Sequence, residues 1–426
     1  MVGWLTGYSN RFKLTVDSGD IDAALTHFPL RVHLSSSSGL NSFDATDIFD
    51  EIGANNLKLA VTKDDGTTEC YVEIDNWDSS AETADLWVSK SDLVISDSAD
   101  TVLYLYYDSS VANNTTYVGV TDSVVAENVW DANFKLVCHM SDATTSTVKD
   151  STSNDNDGTK KGANEPIEAT GKIGEGQTFD GVDDVTSHPD VASLQVGTKD
   201  VSILAWVFPT GSRAVMMGVI GAEGGGLAFG MNTATRNLRV TKRDVADAPL
   251  SGLGISADTW THVAMTFDNS EAVNNLIYYK NGVSATKSWD VDFTAGASSN
   301  NIGCREPNDA NSLFIGSLDE IQVYEGILSS AWVGASYETQ RDHLITYGVD
   351  YGTTGESLYY YRDRFWTHLP KPEPVPDVPD PSTVDWSIGA IEKAKLDRDA
   401  EELLGLNKKL RKIREQEWLD HVRNTE

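Results

Sequence analysis

Oxygen-bearing side chains are concentrated at three places along the chain. The run from Asp150 to Asp157 is rich in Asp and Asn, the turn from Asp180 to Asp184 holds further carboxylates, and Asp319 begins a strand-like segment. Hard cations with six to eight oxygen ligands need clusters of this kind, so the sequence predicts a structural calcium ion. The alternative is that these are ordinary turn residues, because Asp and Asn side chains satisfy local backbone amides.

The carboxylates and histidines do not indicate catalysis. A retaining glycosidase needs two carboxyl groups about 5 Å apart. Asp319 and Glu320 are adjacent, and adjacent strand residues point to opposite faces. His139 and His262 lie in alternating strands without a nearby nucleophile, which favours core or edge histidines. The glycine run at 224–226 precedes a strand rather than a helix, so it is not a phosphate loop. The sequence therefore predicts that the protein is not an enzyme.

The composition indicates a folded and strongly acidic protein. Its 65 acidic and 33 basic residues give a formal net charge of -32. Such a field repels nucleic acid and anionic lipid, so nucleic acid is excluded as a partner. Cys70, Cys138 and Cys304 form no disulfide or zinc pattern and are expected to be buried hydrophobes. Residues 1–8 lack a signal sequence, and no segment reaches the ~20 apolar residues of a membrane span.

The first 120 residues are predicted to form a β-sandwich, because short alternating strands are separated by turn signals. The segment resembles a bacterial and phage β-domain of unknown function that commonly precedes laminin-G-like domains. The resemblance rests on Trp4, Tyr8, Arg11, Phe28-Pro29, Asp65-Gly66, Glu73 to Trp77, Leu86 to Val88 and Tyr104 to Tyr107. It implies no activity, because that family has none established.

Residues 121–345 are predicted to form a second β-sandwich. Its landmarks are the strand from Leu136 to Met140, the turn from Gly171 to Gly174, the strands Val201 to Val207 and Trp260 to Asp268, the hairpin from Ile277 to Gly282, and the closing strand from Gly316 to Tyr324 with a helical run to Gln340. Their order resembles the laminin-G-like, concanavalin A-like jelly roll. The predicted fold class is therefore all-β, with two sandwiches in series.

The resemblance to the jelly roll implies two kinds of site. Structural calcium in such domains is held by a loop like the one at 150–157 and by an acidic residue like that at 319. The implied metal ligands are Asp150, Asn154, Asp157 and Asp319, followed by Asp180 and Asp184. Jelly-roll lectins bind sugars with aromatic platforms and polar loops, which suggests Trp289, Tyr278, Arg305 and Asn308 as ligand-binding residues. The alternative for the aromatic residues is a place in the core.

The last 80 residues differ in composition from both sandwiches. Residues 346–385 are predicted to be an aromatic and proline-rich arm, whose prolines form a stiff, extended spacer. Residues 386–426 are predicted to be a charged helix with one short apolar stripe, formed by Leu403, Leu406, Leu410 and Ile413. The stripe is too short for a self-sufficient coiled coil, so we expect the helix to dock on a partner or to mediate oligomerisation.

These features favour a structural virion protein of a tailed phage, such as a fibre, tail-tip or capsid decoration protein. It would lie on the virion surface and bind cell-surface or environmental glycans. Its other partners would be virion proteins, reached through the arm and the C-terminal helix. A homo-oligomer is expected, and a trimer is preferred by analogy with phage fibres. The alternatives are a bacterial cell-surface adhesin, which would be extracellular, and a glycan-acting enzyme on the same fold.

Overall fold

The computed structural model describes residues 3–349, with gaps at 161–165, 190, 196–198, 213–215, 223–225, 233–234, 243–245, 272, 292–299, 306–308 and 310. These residues belong to one compact unit. Nearly all of its regular structure is β-sheet, which confirms the predicted all-β class. Among the described residues, neither helix has the length and apolar run that crossing a membrane requires.

The first domain is built from short strands and one helix. Its elements are β1 (Asn10–Val16), β2 (Leu25–Thr26), β3 (Leu30–Leu34), α1 (Asp47–Ile52), β4 (Leu59–Thr62), β5 (Glu69–Asp78), β6 (Thr83–Ser89), β7 (Val94–Ile95), β8 (Thr101–Tyr107) and β9 (Val118–Val120). Short 3-10 helices cover Ser18–Asp20 and Ala126–Val129.

The second domain contains the remaining strands and the longer helix. Its strands are β10 (Phe134–Cys138), β11 (Thr159–Lys160), β12 (Ile167–Thr170), β13 (Glu175–Phe179), β14 (Thr186–Ser187), β15 (Val201–Pro209), β16 (Met216–Ala222), β17 (Leu227–Asn232), β18 (Asn237–Lys242), β19 (Ala246–Gly254), β20 (Thr261–Phe267), β21 (Leu276–Lys280), β22 (Val283–Lys287), β23 (Asn300–Ile302) and β24 (Gly316–Glu325). The helix α2 (Ser330–Gln340) and the strand β25 (Ile345–Val349) follow.

Two antiparallel sheets form the jelly roll. An eight-stranded sheet has the order β12-β13-β24-β15-β20-β21-β22, with β10 beside β24. A seven-stranded sheet has the order β11-β14-β23-β16-β17-β18-β19. Apolar residues from both sheets, including Ile203, Phe229, Val240 and Met265, share one core. The core lies between the sheets because side chains alternate along each strand.

The first domain is organised by one eight-stranded sheet of order β25-β1-β8-β4-β5-β6-β3, with β9 beside β5. The small pair β2-β7 lies apart from it. β5 connects the two halves of the sheet, because its start pairs with β4 and the rest pairs with β6. Apolar residues of both halves share a core with Phe49 of α1.

The chain returns to the first domain after the jelly roll. β25 pairs antiparallel with β1, from Phe12–Val349 to Val16–Ile345. Tyr347 is buried there, and its hydroxyl donates to the His33 carbonyl at 2.8 Å. Residues 346–349, predicted to open the aromatic arm, are therefore part of the first sheet. The jelly roll is inserted between β9 and β25, and the prediction of two sandwiches in series is wrong. The rest of the arm and the predicted C-terminal helix lie outside the described residues.

The eight-stranded sheet of the jelly roll packs against the first domain. Val137, Leu204 and Ala264 belong to the first domain's core, whereas their strand neighbours belong to the core between the jelly-roll sheets. The helix α2 lies in the same interface, where Trp332 contacts Phe28 with ring centroids 5.1 Å apart. The interface between the domains is thus continuous with the apolar core of the first domain, and any polar group in it is removed from water.

Candidate functional site

A group of ionisable side chains is buried in this interface. Glu73 and Asp75 come from β5, His139 follows β10, and Asp319 and Glu320 lie on β24; we call these five residues the interface cluster. His139 Nδ1 lies 2.8 Å from Glu320 Oε1 and 3.9 Å from Asp75 Oδ2, and its Nε2 lies 3.5 Å from Glu73 Oε2. The imidazole is therefore surrounded by carboxylates from both domains.

Irregular backbone directs these side chains into the interface. The pairing of β5 with β6 slips at Asp75, and the pairing of β24 with β15 slips next to Glu320. Glu320 has a φ of 50°, in the left-handed region that non-glycine residues rarely adopt. β-Bulges redirect side chains and are over-represented next to functional sites. The cluster is thus built on two bulged strands.

The bulge in β24 overturns one expectation. Leu318 and Ile321 both pack into the core between the jelly-roll sheets, so the alternation along β24 is interrupted between them. Asp319 and Glu320 consequently both lie on the face that meets the first domain, where one contacts the 172–173 turn and the other contacts His139. The prediction that they point to opposite faces is wrong, because strict alternation holds only for a regular strand.

Aromatic rings and a serine complete the surroundings of the cluster. The His139 ring stacks on Trp87 with centroids 5.4 Å apart. The indole of Trp130 donates to Glu73 Oε2 at 2.6 Å, and the Ser141 hydroxyl donates to Asp75 Oδ1 at 3.0 Å. The side chains of the cluster are thereby held in fixed positions.

Asp319 is held by the turn that the sequence singled out at 171–174. Its Oδ2 accepts the backbone amides of Lys172 at 2.6 Å and Ile173 at 2.8 Å. A Cβ on Gly171 would lie 2.6 Å from the same oxygen, so only glycine fits at this position. The glycine-flanked turn therefore has a clear role in this chain: it brings two amides onto a buried carboxylate.

Burial and mutual charge shift the ionisation of the cluster. Burial alone would lower the pKa of His139, but the charges of Glu320, Asp75 and Glu73 raise it well above its usual value. Burial raises the pKa of Asp75 to about 7, although the His139 charge opposes the shift. Burial and the Glu320 charge also raise the pKa of Asp319 well above its usual value. Carboxylates outnumber the imidazole, so the cluster has a surplus of potential negative charge.

An ion pair lies beside the cluster on the first domain. The Arg31 guanidinium contacts Asp85, with Nε 3.0 Å from Oδ1, and both side chains are buried. Arg31 also donates to the carbonyl of Gln340 at the end of α2. Burial alone would raise the pKa of Asp85, but the Arg31 charge and the hydrogen bonds from His33 and Arg31 lower it to about 2. This pair therefore ties the jelly roll's helix to β3.

The residues predicted to bind calcium lie in three separate settings. In the 150–157 loop, Asp150 accepts the amides of Val137, Thr152 and Asn156 and the Thr152 hydroxyl, all within 3.0 Å. Asp157 accepts the Asp150 amide and pairs with Lys149, and the Asn154 amide group donates to the Phe134 carbonyl. Their side chains thus organise the loop through internal hydrogen bonds, while Asp319 lies in the interface cluster.

The 180–184 turn contains a second group of carboxylates. Oxygens of Asp180, Asp183 and Asp184 lie within 4.8 Å of one another. Asp184 accepts the Asp180 amide at 2.6 Å, and Asp180 accepts the Val182 amide at 2.6 Å. These hydrogen bonds are those of an ordinary turn, and calcium binding at this turn stays a prediction.

The aromatic residues predicted to bind a glycan are in the core. Tyr278 is fully buried, and its hydroxyl contacts the Ala248 carbonyl and accepts the Val240 amide. Trp289 is buried against Phe267 with centroids 5.7 Å apart. Neither ring offers a platform to a ligand in this structure, so the core alternative describes them. Asn308 lies outside the described residues.

Arg305 lies on the outer face of the seven-stranded sheet, which is turned away from the core. It pairs with Asp309 at 2.7 Å, and its backbone passes over Gly218 and Gly221 of β16. On the same face Arg239 pairs with Asp247, and the Thr241 hydroxyl donates to Asp247 at 2.9 Å. Burial alone would raise the pKa of Asp247, but hydrogen bonds from Arg239 and Thr241 and the charges of Arg239 and Arg305 lower it, so Arg305 lies near Asp247. We call Arg239, Thr241, Asp247, Arg305 and Asp309 the outer-face polar cluster.

Comparison with known proteins agrees with this architecture. Residues 179–334 match the family described as the concanavalin A-like lectin/glucanases superfamily. The chain therefore contains a laminin-G-like, concanavalin A-like jelly-roll domain, as its landmarks predicted. No curated protein sequence matches the chain.

Similar folds occur among solved structures. Domain 4 of an extracellular arabinanase from Geobacillus stearothermophilus, in complex with arabinotriose, is 25% identical over 47% of this chain and 98% of that chain, with a TM-score of 0.38. The binding domain of Paraclostridial Mosquitocidal Protein 1 is 13% identical over 49% of this chain and 52% of that chain, with a TM-score of 0.40. The binding domain of botulinum neurotoxin serotype G is 12% identical over 49% of this chain and 51% of that chain, with a TM-score of 0.38. The chain spans about half the length of these two toxin domains.

Proposed function

We propose that the protein is a non-catalytic attachment protein whose jelly roll binds glycans through the outer face of the seven-stranded sheet. The observation that carries this proposal is the outer-face polar cluster. It places guanidinium donors and carboxylate acceptors on one sheet face, where ion pairs and a hydrogen bond from the buried Thr241 hydroxyl hold them in place. Sugar hydroxyls need donors and acceptors in a fixed arrangement, and preformed polar groups lose little entropy on binding.

The two sheets of the jelly roll would have different roles, one in packing against the first domain and the other in binding the glycan. The eight-stranded sheet packs on the first domain and is not available to a polymer, whereas Asp247 on the seven-stranded sheet is 48% exposed. A binding surface on the exposed sheet would point away from the first domain. The first domain would then serve as the mount of the glycan-binding domain.

We propose a non-catalytic protein because a polymer cannot reach the carboxylates of the interface cluster. The side chains of Glu73, Asp75 and Glu320 are at most 2% exposed. A glycosidase must bring its carboxyl groups to both sides of the scissile bond. Turnover of a polysaccharide that is abolished by Glu320→Gln would overturn this part of the proposal.

The test of glycan binding is a panel of bacterial lipopolysaccharides, capsular polysaccharides and peptidoglycan fragments presented to the full-length protein. Arg305→Ala and Asp247→Ala should each weaken binding about tenfold or more, since a hydrogen bond to a charged group contributes ~1.5–3 kcal/mol. Arg341→Ala, directly after the end of α2, is the matched control and should bind as the unmodified protein does. Absence of binding to every glycan, or equal binding by all variants, would contradict the proposal.

We further propose that the protein is a component of a tailed-phage virion. It would be a fibre, tail-tip or decoration protein that assembles through its C-terminal segment. The support is the combination of a binding fold with the phage and bacterial β-domain that the first 120 residues resemble. Genes that flank the coding sequence provide the test. Capsid and tail genes beside it would support a virion role, and cell-wall or secretion genes would favour the surface adhesin instead.

A further inference from the structure

The interface cluster has the composition and geometry of a metal site. We propose that Asp75, His139 and Glu320 bind one divalent transition-metal ion of the Mn²⁺ or Zn²⁺ class between the two domains, with Glu73 and Asp319 beside it. The site is distinct from the calcium ligands that the family resemblance implies in the 150–157 loop. It uses a residue of the first domain, so it exists only in the combination of these two domains.

The distances within the cluster suit a single ion. One ligand atom from each of Asp75, His139 and Glu320 lies within 4.8 Å of the other two. Two of the separations are 2.8 Å and 3.9 Å, both measured from His139 Nδ1. Ligands at about 2.0–2.2 Å from an ion stand roughly 3 to 4 Å from one another, so only small side-chain shifts are needed.

Several buried atoms of the interface cluster lack a hydrogen-bond partner among the described residues. They are Glu320 Oε2, Glu73 Oε1, Asp319 Oδ1 and His139 Nε2. The side chains of Glu320, Glu73 and His139 are at most 1% exposed. A buried carboxylate oxygen without a partner destabilises the folded state, because it has lost its hydration without replacement. A cation is the partner that satisfies several such oxygens at once.

The charge balance points in the same direction. The interface cluster holds four carboxylates and one imidazole, which contacts three of them and can neutralise one. The nearest other cations have partners of their own, because Arg31 is paired with Asp85 and the Lys172 ammonium lies over the Trp206 ring at 5.1 Å. Buried charges in proteins are paired or coordinate metals. A divalent ion would remove most of the surplus.

The imidazole decides the class of ion. Calcium and magnesium take oxygen ligands, whereas imidazole together with carboxylates suits manganese, iron and zinc. Binding would join β5 of the first domain to β24 of the jelly roll. The ion would therefore fix the orientation of the glycan-binding domain on its mount.

The test uses the full-length protein after dialysis against EDTA. Calorimetric titration with Mn²⁺ and Zn²⁺, and the visible absorption of added Co²⁺, should each show one site per chain. Asp75→Asn and Glu320→Gln should weaken binding at least tenfold, while the double variant Asp180→Asn/Asp183→Asn, in the other carboxylate group, should bind as the unmodified protein does. Asp75→Asn keeps an oxygen that can accept the Ser141 hydroxyl, so it is the variant that best preserves the fold, which circular dichroism checks.

Three outcomes would overturn the site. The first is no binding of Mn²⁺, Zn²⁺ or Co²⁺ by the folded, unmodified protein. The second is unchanged affinity in folded Asp75→Asn. The third is a stoichiometric ion that is lost in Asp150→Asn and retained in Asp75→Asn, which would place the cation in the 150–157 loop.

Discussion

The 150–157 loop and the interface cluster are both rich in carboxylates, but their oxygens are satisfied in different ways. Asp150 accepts four hydrogen bonds from its own loop and from β10, and Asp157 closes the loop on the Asp150 amide. Glu320, Glu73 and Asp319 each keep an oxygen without a partner among the described residues. Acidic composition therefore does not identify a cation site by itself. A better indicator of a cation site is the number of carboxylate oxygens that accept no hydrogen bond from the protein.

The largest effect is expected from the ion pair that borders the interface cluster. Asp85→Ala leaves the Arg31 guanidinium buried without its carboxylate, and a broken buried pair costs about 3–5 kcal/mol. Urea unfolding should show this loss of stability. The control is Asp92→Ala, which removes the exposed partner of Lys63 and should cost less than ~1 kcal/mol. Equal losses of unfolding free energy in the two variants would show that the Arg31–Asp85 pair contributes no more to stability than an exposed pair does.

The pH dependence of stability should have opposite signs at Asp85, which borders the interface cluster, and at Asp150 in the 150–157 loop. The pKa of Asp85 is lowered to about 2, so its contribution is complete above its unfolded pKa and is lost as the pH falls from about 4 towards 2. The pKa of Asp150 is raised by burial to about 6, so the folded state binds the extra proton and stability falls as the pH rises from about 4 to 6. Each shift corresponds to about 2–3 kcal/mol at most.

Unfolding free energies measured from pH 2 to 7 test both signs. Asp150→Asn should flatten the upper part of the profile and leave the acid part unchanged. A profile that is identical in the variant would show that Asp150 does not titrate in this range.

Neutralising one carboxylate should have different consequences in the two regions when EDTA is present. Glu320→Gln relieves the charge surplus of the interface cluster, so stability should stay constant or rise by up to ~1 kcal/mol. Asp150→Asn turns an amide group towards backbone donors and should lower stability by ~1–3 kcal/mol. Thermal unfolding of both variants measures the contrast. A loss of several kcal/mol in Glu320→Gln under these conditions would mean that the cluster is balanced without an ion.

The smallest effect on stability is expected at the outer-face polar cluster. Arg305→Ala removes a partly exposed ion pair with Asp309, which should cost ~1 kcal/mol or less. The same variant should lose glycan binding. A large loss of stability together with a loss of binding would instead assign Arg305 a structural role.

Much of the fold could be predicted from the sequence because strands, turns and glycine positions are local. The alternating strands at Val201 and Trp260 and the Gly171 to Gly174 turn lie where their patterns indicated. The interface cluster could not be predicted, because residues far apart in the sequence, such as Asp75 and Glu320, meet there. It depends on the packing of one domain on another, and no local pattern encodes that contact.

One signal for the cluster was present in the sequence. Two polar residues, Asp319 and Glu320, lie between the apolar Leu318 and Ile321. This pattern breaks the two-residue period of a strand and is typical of a bulge. The sequence prediction rests on regular alternation at this point and treats His139 as a core or edge residue rather than a catalytic one. An irregular period in an otherwise regular strand is thus worth reading as a sign of redirected side chains.

The pairing of β25 with β1 also has a mechanical consequence. Phe12 lies opposite Val349, so the start of β1 and the end of β25 are at the same end of the first sheet. Tension applied to the chain at these two points would run through the first domain and open the strand pair one hydrogen bond at a time. The jelly roll branches off between β9 and β25 and lies outside this path. A glycan-binding domain mounted in this way would keep its shape while the domain that carries it bears the load.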